Sequence, residues 1–421
     1  MSCDLQALER LSALQKWIES HGGFIHPALE FRASPANAND FTVFSTAELR
    51  PWEDLIKIPG LLQLNPENIE VKKALKEPWL SALEHHNFFK ARLNRAGPMI
   101  WALLVAKVQE QESFFAPYIN ALPPRQWLVK HPVFWCAESR FLNETEYLNA
   151  LERWNTLSPT FANIIRASND EIKLFMQTLK QLNHRYPLFP ASFLIEENIR
   201  WALAILFSRR WHDGLIPVID QLQHHGHAKS FVSDFDDEPI IFFAGDRYET
   251  DVEVFNNYGN HDNHDMLYNF GFFNEEDCQP VVAIRLHEIG NSPIEHICIQ
   301  SLSQTLSALK ETLSLTLCAQ GPNAHLLSLL QMRAFHLQST ANTSPELSEE
   351  TKLAAWHTTL ELTSKKIAQS PVSTQETDSN SPCHIEKFLH AINSSQYKML
   401  LTLQKKCQDE IGRMTKLIPQ T

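Results

Sequence analysis

Three short segments between Trp201 and Phe273 carry residues able to do chemistry. The apolar helical run Trp201–Trp211 ends on Ser208, Arg209, Arg210 and Trp211. LIPVIDQLQHHGH then reads as a short apolar strand that breaks into polar residues at Asp220 and a histidine knot at His224, His225 and His227. Finally, EVFNNYGNHDNHDMLYNFGFF leads β-branched and aromatic residues into Tyr258-Gly259, a helix-like turn and Phe270-Gly271-Phe272. A tyrosine delivered by a strand to a glycine turn, beside a polar Asn/His/Asp loop, predicts a small-molecule site. The imidazoles of His224, His225, His227, His261 and His264, with Asp220, Asp262 or Asp265, are acceptable zinc ligands by type. Their spacing fits no known metal motif, so the expectation is loop histidines around a pocket and no metal.

Trp201, Ser208, Arg209, Trp211, Leu215, Ile216, Pro217, Asp220, His224, Glu253, Val254, Phe255, Tyr258, Gly259, Asn263, Leu267, Gly271 and Phe272 fall in an order and spacing that resembles the SET-domain methyltransferases of the Rubisco large-subunit methyltransferase class. The resemblance implies an α+β chain: a SET-domain β-fold with an inserted helical segment and a C-terminal all-α substrate-binding domain. It implies S-adenosylmethionine as cofactor and a protein substrate, with a lysine side chain as methyl acceptor. By the same match Tyr258 is the catalytic tyrosine. Arg209, Gln223, His224 and Phe41 fall at cofactor-binding positions, and Trp211, Asp220 and Phe270 at the substrate channel. Trp211 stands where lysine-modifying members carry a channel phenylalanine and the related actin-histidine methyltransferase carries a polar residue.

Methyl transfer of this kind is an in-line displacement, so the protein must align the amine lone pair and exclude water. The amine must be neutral when it attacks, and a desolvating aromatic channel lowers its pKa. This sequence departs from the family pattern at three places. The glycine-rich loop corresponds to Asp40, Phe41, Thr42, Val43, Phe44 and Ser45, with both glycines replaced. The Asn-His pair is Gln223-His224, and a second tyrosine is Phe270. These departures leave open an enzyme with a reshaped pocket, a SET fold kept as an interaction scaffold, or a histidine methyltransferase.

The elements that must position these residues are legible as periodicities. Leu8, Leu11, Leu14, Trp17 and Ile18 predict a helix over Leu5–Ser20, closed by Gly22-Gly23. FIHPALEF, FTVFSTAEL and DLIKIPGLLQLN read as strands, and the SPANAND run before the second as a turn. From Asn65 to Arg185 the pattern is helical, and Phe114, Phe115, Tyr118, Phe134 and Trp135 read as helix core. PVVAIRLHEIG reads as a last strand pair. Four helices are expected after Pro293, beginning with SQTLSALKETLSLTL, with a polar disordered loop between them. The expected division is 1–64 for the N-terminal helix and strands, 65–190 for the helical insert and 191–290 for the C-terminal SET core. The all-helical domain takes 291–421, its loop near 364–382.

At 421 residues the chain is long enough for two or three units with substantial cores. A net charge of −12 argues against a protein that grips nucleic-acid phosphate and suits a basic partner. Seven scattered cysteines, never in a C-x-x-C pair, fit a reducing compartment. The N-terminus reads as an amphipathic helix rather than a signal peptide, and no apolar run is long enough to span a bilayer. A cytoplasmic or nuclear monomer is therefore expected, acting on a protein partner with no direct nucleic-acid or membrane contact.

Overall fold

A computed structural model describes residues 2–34, 37–74, 97–128, 131–135, 144–211, 214–233, 239–259, 261, 263–272, 280–284, 286–289, 315–338, 348–370, 384–416 and 418. The chain packs into two compact units. The first comprises 1–155, 160–261 and 265–272; the second comprises 156–159, 262–264 and 273–421.

In the first unit, helix α1 (Ser2–Ser20) buries Leu11, Leu14 and Ile18, the apolar stripe its periodicity required. Gly22, at φ +83, takes the left-handed turn that ends it. Strands β1 (Phe24–Ile25), β2 (Leu29–Ser34), β3 (Asn37–Ser45) and β4 (Asp54–Ile58) follow. β2 and β3 form an antiparallel pair, with a register irregularity at Ala33/Ser34. The SPANAND run is thus a turn only in part, because its last four residues, 37–40, already belong to β3. β1 and β4 join β5 (Ser230–Val232) and β6 (Ile240–Ala244) in a four-stranded antiparallel sheet of order β1-β4-β6-β5.

The helical segment supplies α2 (Gly97–Val108), α3 (Ala116–Ala121), α4 (Glu144–Leu157) and α5 (Pro159–Arg185). Phe115, Tyr118, Phe134 and Trp135 are buried and Phe114 is half-buried, but of the five only Tyr118 lies in an α-helix, the others standing in turns and in or beside a short 3-10 segment. Helix α6 (Glu196–Arg209) runs through the core, with every residue from Ile199 to Leu206 buried. One of these is Arg200. Its guanidinium is held by Glu196 Oε1, Asn169 Oδ1 and the Val133 carbonyl, which satisfies a charge that burial would otherwise penalise. Helix α7 (Asn263–Phe270) closes on Gly271.

The second unit is helical with a small sheet, rather than all-α as expected. Strands β7 (Val282–Ala283), β8 (Thr316–Cys318) and β9 (Gly321–Pro322) pair antiparallel in that order. Residues 286–289 are helical, so PVVAIRLHEIG supplies one strand rather than a pair. The end of SQTLSALKETLSLTL lies in β8, where buried Leu317 joins Leu326, Leu329, Leu362 and Leu403 in one core. Tertiary packing has here overridden a helical pattern. Helices α8 (Ala324–Gln338), α9 (Glu349–Gln369) and α10 (His384–Thr415) complete the unit. Ser348 caps α9 by accepting from the Thr351 N–H. The helix runs to Gln369, so residues 364–369, expected in the polar loop, are helical; 371–383 lie outside the described residues. No helix among the described residues is long and apolar enough to cross a membrane.

Candidate functional site

Helix α6 ends where Arg210 turns extended, at φ −72 and ψ 131. Arg209 and Trp211 therefore leave the core at its edge. Trp211 and Gly214 exchange backbone hydrogen bonds at 2.9 Å, and Leu215 pairs in the same way with Leu64. The chain then makes an unusual bend. Val218 sits at φ 71 and ψ −49, and the Ile219 N–H donates to the Pro217 carbonyl at 2.9 Å. This is a γ-turn of the φ-positive kind, strained for any residue and more so for a β-branched one. Val218 is fully buried, so surrounding packing holds the strain. The bend sets Asp220 inward, 3 % exposed.

Asp220 Oδ2 accepts a hydrogen bond from the Tyr118 hydroxyl, and Arg209 Nη1 donates to the Asp220 carbonyl oxygen at 2.9 Å. Oδ1 is buried without a hydrogen-bond partner. Burial pushes the Asp220 carboxyl up to about 7, against the opposing pull of the Arg209 charge and the Tyr118 bond. The Tyr118 phenol is raised as well, by burial first and by the carboxylate second. Tyr118, expected only as core, is thus also the residue that anchors Asp220. Its place in an aromatic stripe masked the hydroxyl.

Tyr258 arrives from the opposite side. Its hydroxyl donates to the Leu222 carbonyl at 2.8 Å, and its backbone N–H donates to His224 Nδ1 at 3.2 Å. The next residue, Gly259, has φ +102, and its N–H is held by Asn257 Oδ1 at 2.9 Å. The ring of Phe270 lies 4.8 Å from that of Tyr258, and His261 packs edge-on against Phe270 at 5.3 Å. Gly271 caps α7 at φ +77, and a Cβ there would stand 3.3 Å from the Cα of His131. His131 is buried with Nδ1 accepting from the Val133 N–H, so Nε2 carries the proton and donates to the Asn269 carbonyl. Burial holds this ring neutral, its pKa lowered to about 4.

Arg209, Trp211, Asp220, Tyr258 and Phe270 line one cavity of about 260 Å³, together with Ser208, His261 and Asn269. His261 lines the pocket, as expected of a loop histidine, whereas Asn269 was not singled out in the sequence and only its contacts place it here. Gln223, His224 and Phe41 are not cavity-lining. His224 lies behind Tyr258, with ring centroids 4.9 Å apart. Gln223 donates through Nε2 to the Phe41 carbonyl at 3.1 Å, while the Phe41 side chain is buried in the core. The segment matched to a glycine-rich loop is strand here: Phe41 pairs with Ala33, Thr42 with Arg32 and Phe44 with Glu253. The side chain of Asp40 lies outside the described residues. His225 packs at a tilt against Phe255, ring centroids 5.2 Å apart. Among the described residues no three His, Cys, Asp or Glu side chains are placed to hold a metal ion.

No protein-family model matches the chain, and no curated sequence matches it. Solved structures do. The chain is similar to the SET domain of LSMT bound to lysine and AdoHcy, with a TM-score of 0.61 and 13% identity over 97% of this chain and 93% of that one. It is similar over the same shares to Rubisco LSMT bound to AdoMet, with a TM-score of 0.59 and 12% identity. Rubisco LSMT bound to sinefungin and monomethyllysine gives 0.61 and 13%. The likeness extends the SET-domain fold along nearly the whole chain.

Proposed function

We propose that the protein is an S-adenosylmethionine-dependent protein methyltransferase acting on a lysine side chain. The observation that carries this reading is the convergence of Arg209, Trp211, Asp220, Tyr258 and Phe270 on one cavity. The donor set there fits the cofactor. Arg209 offers a fixed cation for an α-carboxylate. The buried Asp220 carboxyl and the faces of Trp211, Tyr258 and Phe270 suit a cationic centre. The structural neighbours hold AdoMet, AdoHcy or sinefungin, and lysine or its methylated form, which supports both cofactor and acceptor. Bound S-adenosylmethionine supplies an electrophilic methyl group.

The chain's own residues do the rest. Trp211 and Phe270 wall the approach with apolar rings that strip water from an incoming ammonium and lower its pKa. Tyr258 already donates its hydroxyl proton to the Leu222 carbonyl. A lone pair on the same oxygen therefore remains to accept from the amine and orient it. The aromatic wall at Trp211 favours a long aliphatic lysine over an imidazole. We place docking of the protein substrate on the helices of 291–421, as the resemblance implies.

The test is transfer of labelled methyl from S-adenosylmethionine to lysine-bearing peptides or proteins. Tyr258→Phe should lower the rate about 100-fold or more with the fold intact; an undiminished rate overturns the assignment. Hydrolysis of the product separates methyl-lysine from methyl-histidine. A second reading, a SET fold kept as an interaction scaffold, is favoured by one observation. β3 is a regular paired strand where the family pattern has a glycine loop, and the Gln223 amide is tied to it. Absence of calorimetric binding at millimolar S-adenosylmethionine would decide for the scaffold.

A further inference from the structure

The nucleophile of the proposed transfer is a neutral amine, so a group at the site must take the proton of the incoming ammonium. Aromatic walls make that proton easier to lose but hold no lone pair for it. The ionisable residues lining the cavity are Arg209, Arg210, Asp220, Tyr258 and His261. The arginines carry donors only. The Tyr258 hydroxyl keeps its own proton on the Leu222 carbonyl. Asp220 Oδ2 accepts from Tyr118 and Oδ1 is buried, so neither oxygen is open to an incoming amine. That leaves His261.

The bend at Gly259 places the imidazole. At φ +102 that residue turns the chain back, and His261 Nε2 comes 3.0 Å from the carbonyl oxygen of Tyr258, three residues earlier. A carbonyl oxygen only accepts, so Nε2 carries a proton and donates it. Nδ1 is therefore the lone-pair nitrogen of the neutral ring, and it makes no hydrogen bond among the described residues. Protonating Nδ1 leaves the Nε2 bond in place, because both nitrogens of an imidazolium donate. The ring can thus gain and lose a proton without leaving the cavity wall. Phe270, the α7 residue it packs against at 5.3 Å, does not titrate. The imidazole is half-buried, so part of it meets solvent, to which the proton can pass.

We propose that His261 is the proton acceptor of methyl transfer, an inference that rests on the methyltransferase reading above. The ammonium N–H bond breaks, its electron pair stays on the substrate nitrogen, and the proton bonds to Nδ1. The freed pair attacks the methyl carbon of S-adenosylmethionine, and the C–S pair leaves with sulfur.

Two measurements test this, one of them without turnover. Nitrogen-15 NMR of the histidine rings in the full chain, with His261 assigned by its loss in His261→Gln, separates protonated from bare ring nitrogens. The neutral His261 ring should show a protonated Nε2 and a bare Nδ1. Adding n-butylamine with S-adenosylhomocysteine should move the Nδ1 resonance and leave Nε2 protonated. A proton on Nδ1 with Nε2 bare, or an Nδ1 resonance that no concentration of amine moves, overturns the proposal.

The second measurement is kcat/KM against pH, with the best lysine acceptor from the labelled-methyl assay. His261→Gln keeps an amide donor for the Tyr258 carbonyl but has no base. It should lower kcat/KM about 100-fold at pH 7. The gap should close to within about threefold near pH 10, where the amine arrives neutral. A merely structural role would lower the rate alike at every pH, and that result, or an unchanged profile, overturns the proposal while the methyltransferase reading stands. Wild type that methylates no lysine-bearing acceptor overturns both. If His261→Gln melts early, the wild-type ring spectrum still decides.

Discussion

The two sides of the site's surroundings are built in opposite ways. The wall carrying Arg209, Asp220 and Tyr258 bends at Val218, Gly259 and Gly271, each at positive φ. The β2–β3 hairpin is a regular ladder over Leu29–Ala33 and Phe41–Ser45, and its partners on the other side, the Phe44–Glu253 bridge and the Val254 N–H to the Val43 carbonyl, extend it. Irregular backbone aims side chains into the cavity, whereas regular backbone spends its polar groups on neighbouring strands and has few to offer a ligand. On the proposed function, the bent wall carries the chemistry and the hairpin supports it.

The largest expected effect lies in the bent wall, at Asp220. Its folded-state pKa, about 7, stands above the ordinary 3.8. The folded chain therefore keeps a proton that the unfolded chain releases above pH 4. The stability so gained is complete below pH 4 and is lost as pH rises through 7. Asp220→Asn keeps an acceptor for Tyr118 and removes the titration. It should stabilise the chain at pH 8 by on the order of 3 kcal/mol and flatten the decline between pH 4 and 7, read by denaturant unfolding at several pH values. His131 slopes the other way: its pKa is depressed from 6.5 to about 4, so its contribution is full above 6.5 and is lost as pH falls toward 4. A variant whose pH profile matches wild type would place the ionised carboxylate at no cost and break the contrast.

Gly271→Ala comes next. The substitution adds a left-handed penalty and sets Cβ 3.3 Å from the His131 Cα, a backbone atom that cannot swing aside. It should cost about 2 kcal/mol in thermal unfolding. Because Phe270 precedes it against Tyr258, the same variant should disturb the cavity. A neutral outcome would mean that the bend is not needed to place Phe270.

The bent wall was largely legible in the sequence, because its residues lie in short segments with turn-forming glycines. Tyr258-Gly259, Phe270-Gly271 and the Asp220 break each mark a place where periodicity stops. What could not be read were contacts across long separations. Tyr118 meets Asp220 only because α3 packs below the γ-turn, and an aromatic at helical spacing reads as core whether or not its hydroxyl has a partner. Val218 carries no signal, since β-branched residues are not expected at positive φ. The fold was legible to the level of helices and strands. The small sheet of β7, β8 and β9 was not, because strands of two or three residues fall below any periodicity. Gln223, His224 and Phe41 were placed by resemblance at the cofactor, yet none lines the cavity: Gln223 is tied to the hairpin through the Phe41 carbonyl, the Phe41 side chain is buried and His224 packs against Tyr258.

That last point has its own test, with the smallest expected effect. Thr42 is 6 % exposed and paired with Arg32 in β3, on the segment matched to the glycine loop. Thr42→Gly restores a glycine there without freeing the backbone, whose hydrogen bonds run to neighbouring strands. It should cost about 1 kcal/mol of stability, from lost strand preference and buried methyl. Affinity for S-adenosylmethionine, measured by calorimetry, should change less than about twofold, under 0.5 kcal/mol. A tenfold gain would mean that a ligand presses against β3, and that the threonine, rather than the ladder, keeps it away. The hairpin would then belong to the binding wall, and the division between bent and regular backbone would have to be redrawn along side-chain size.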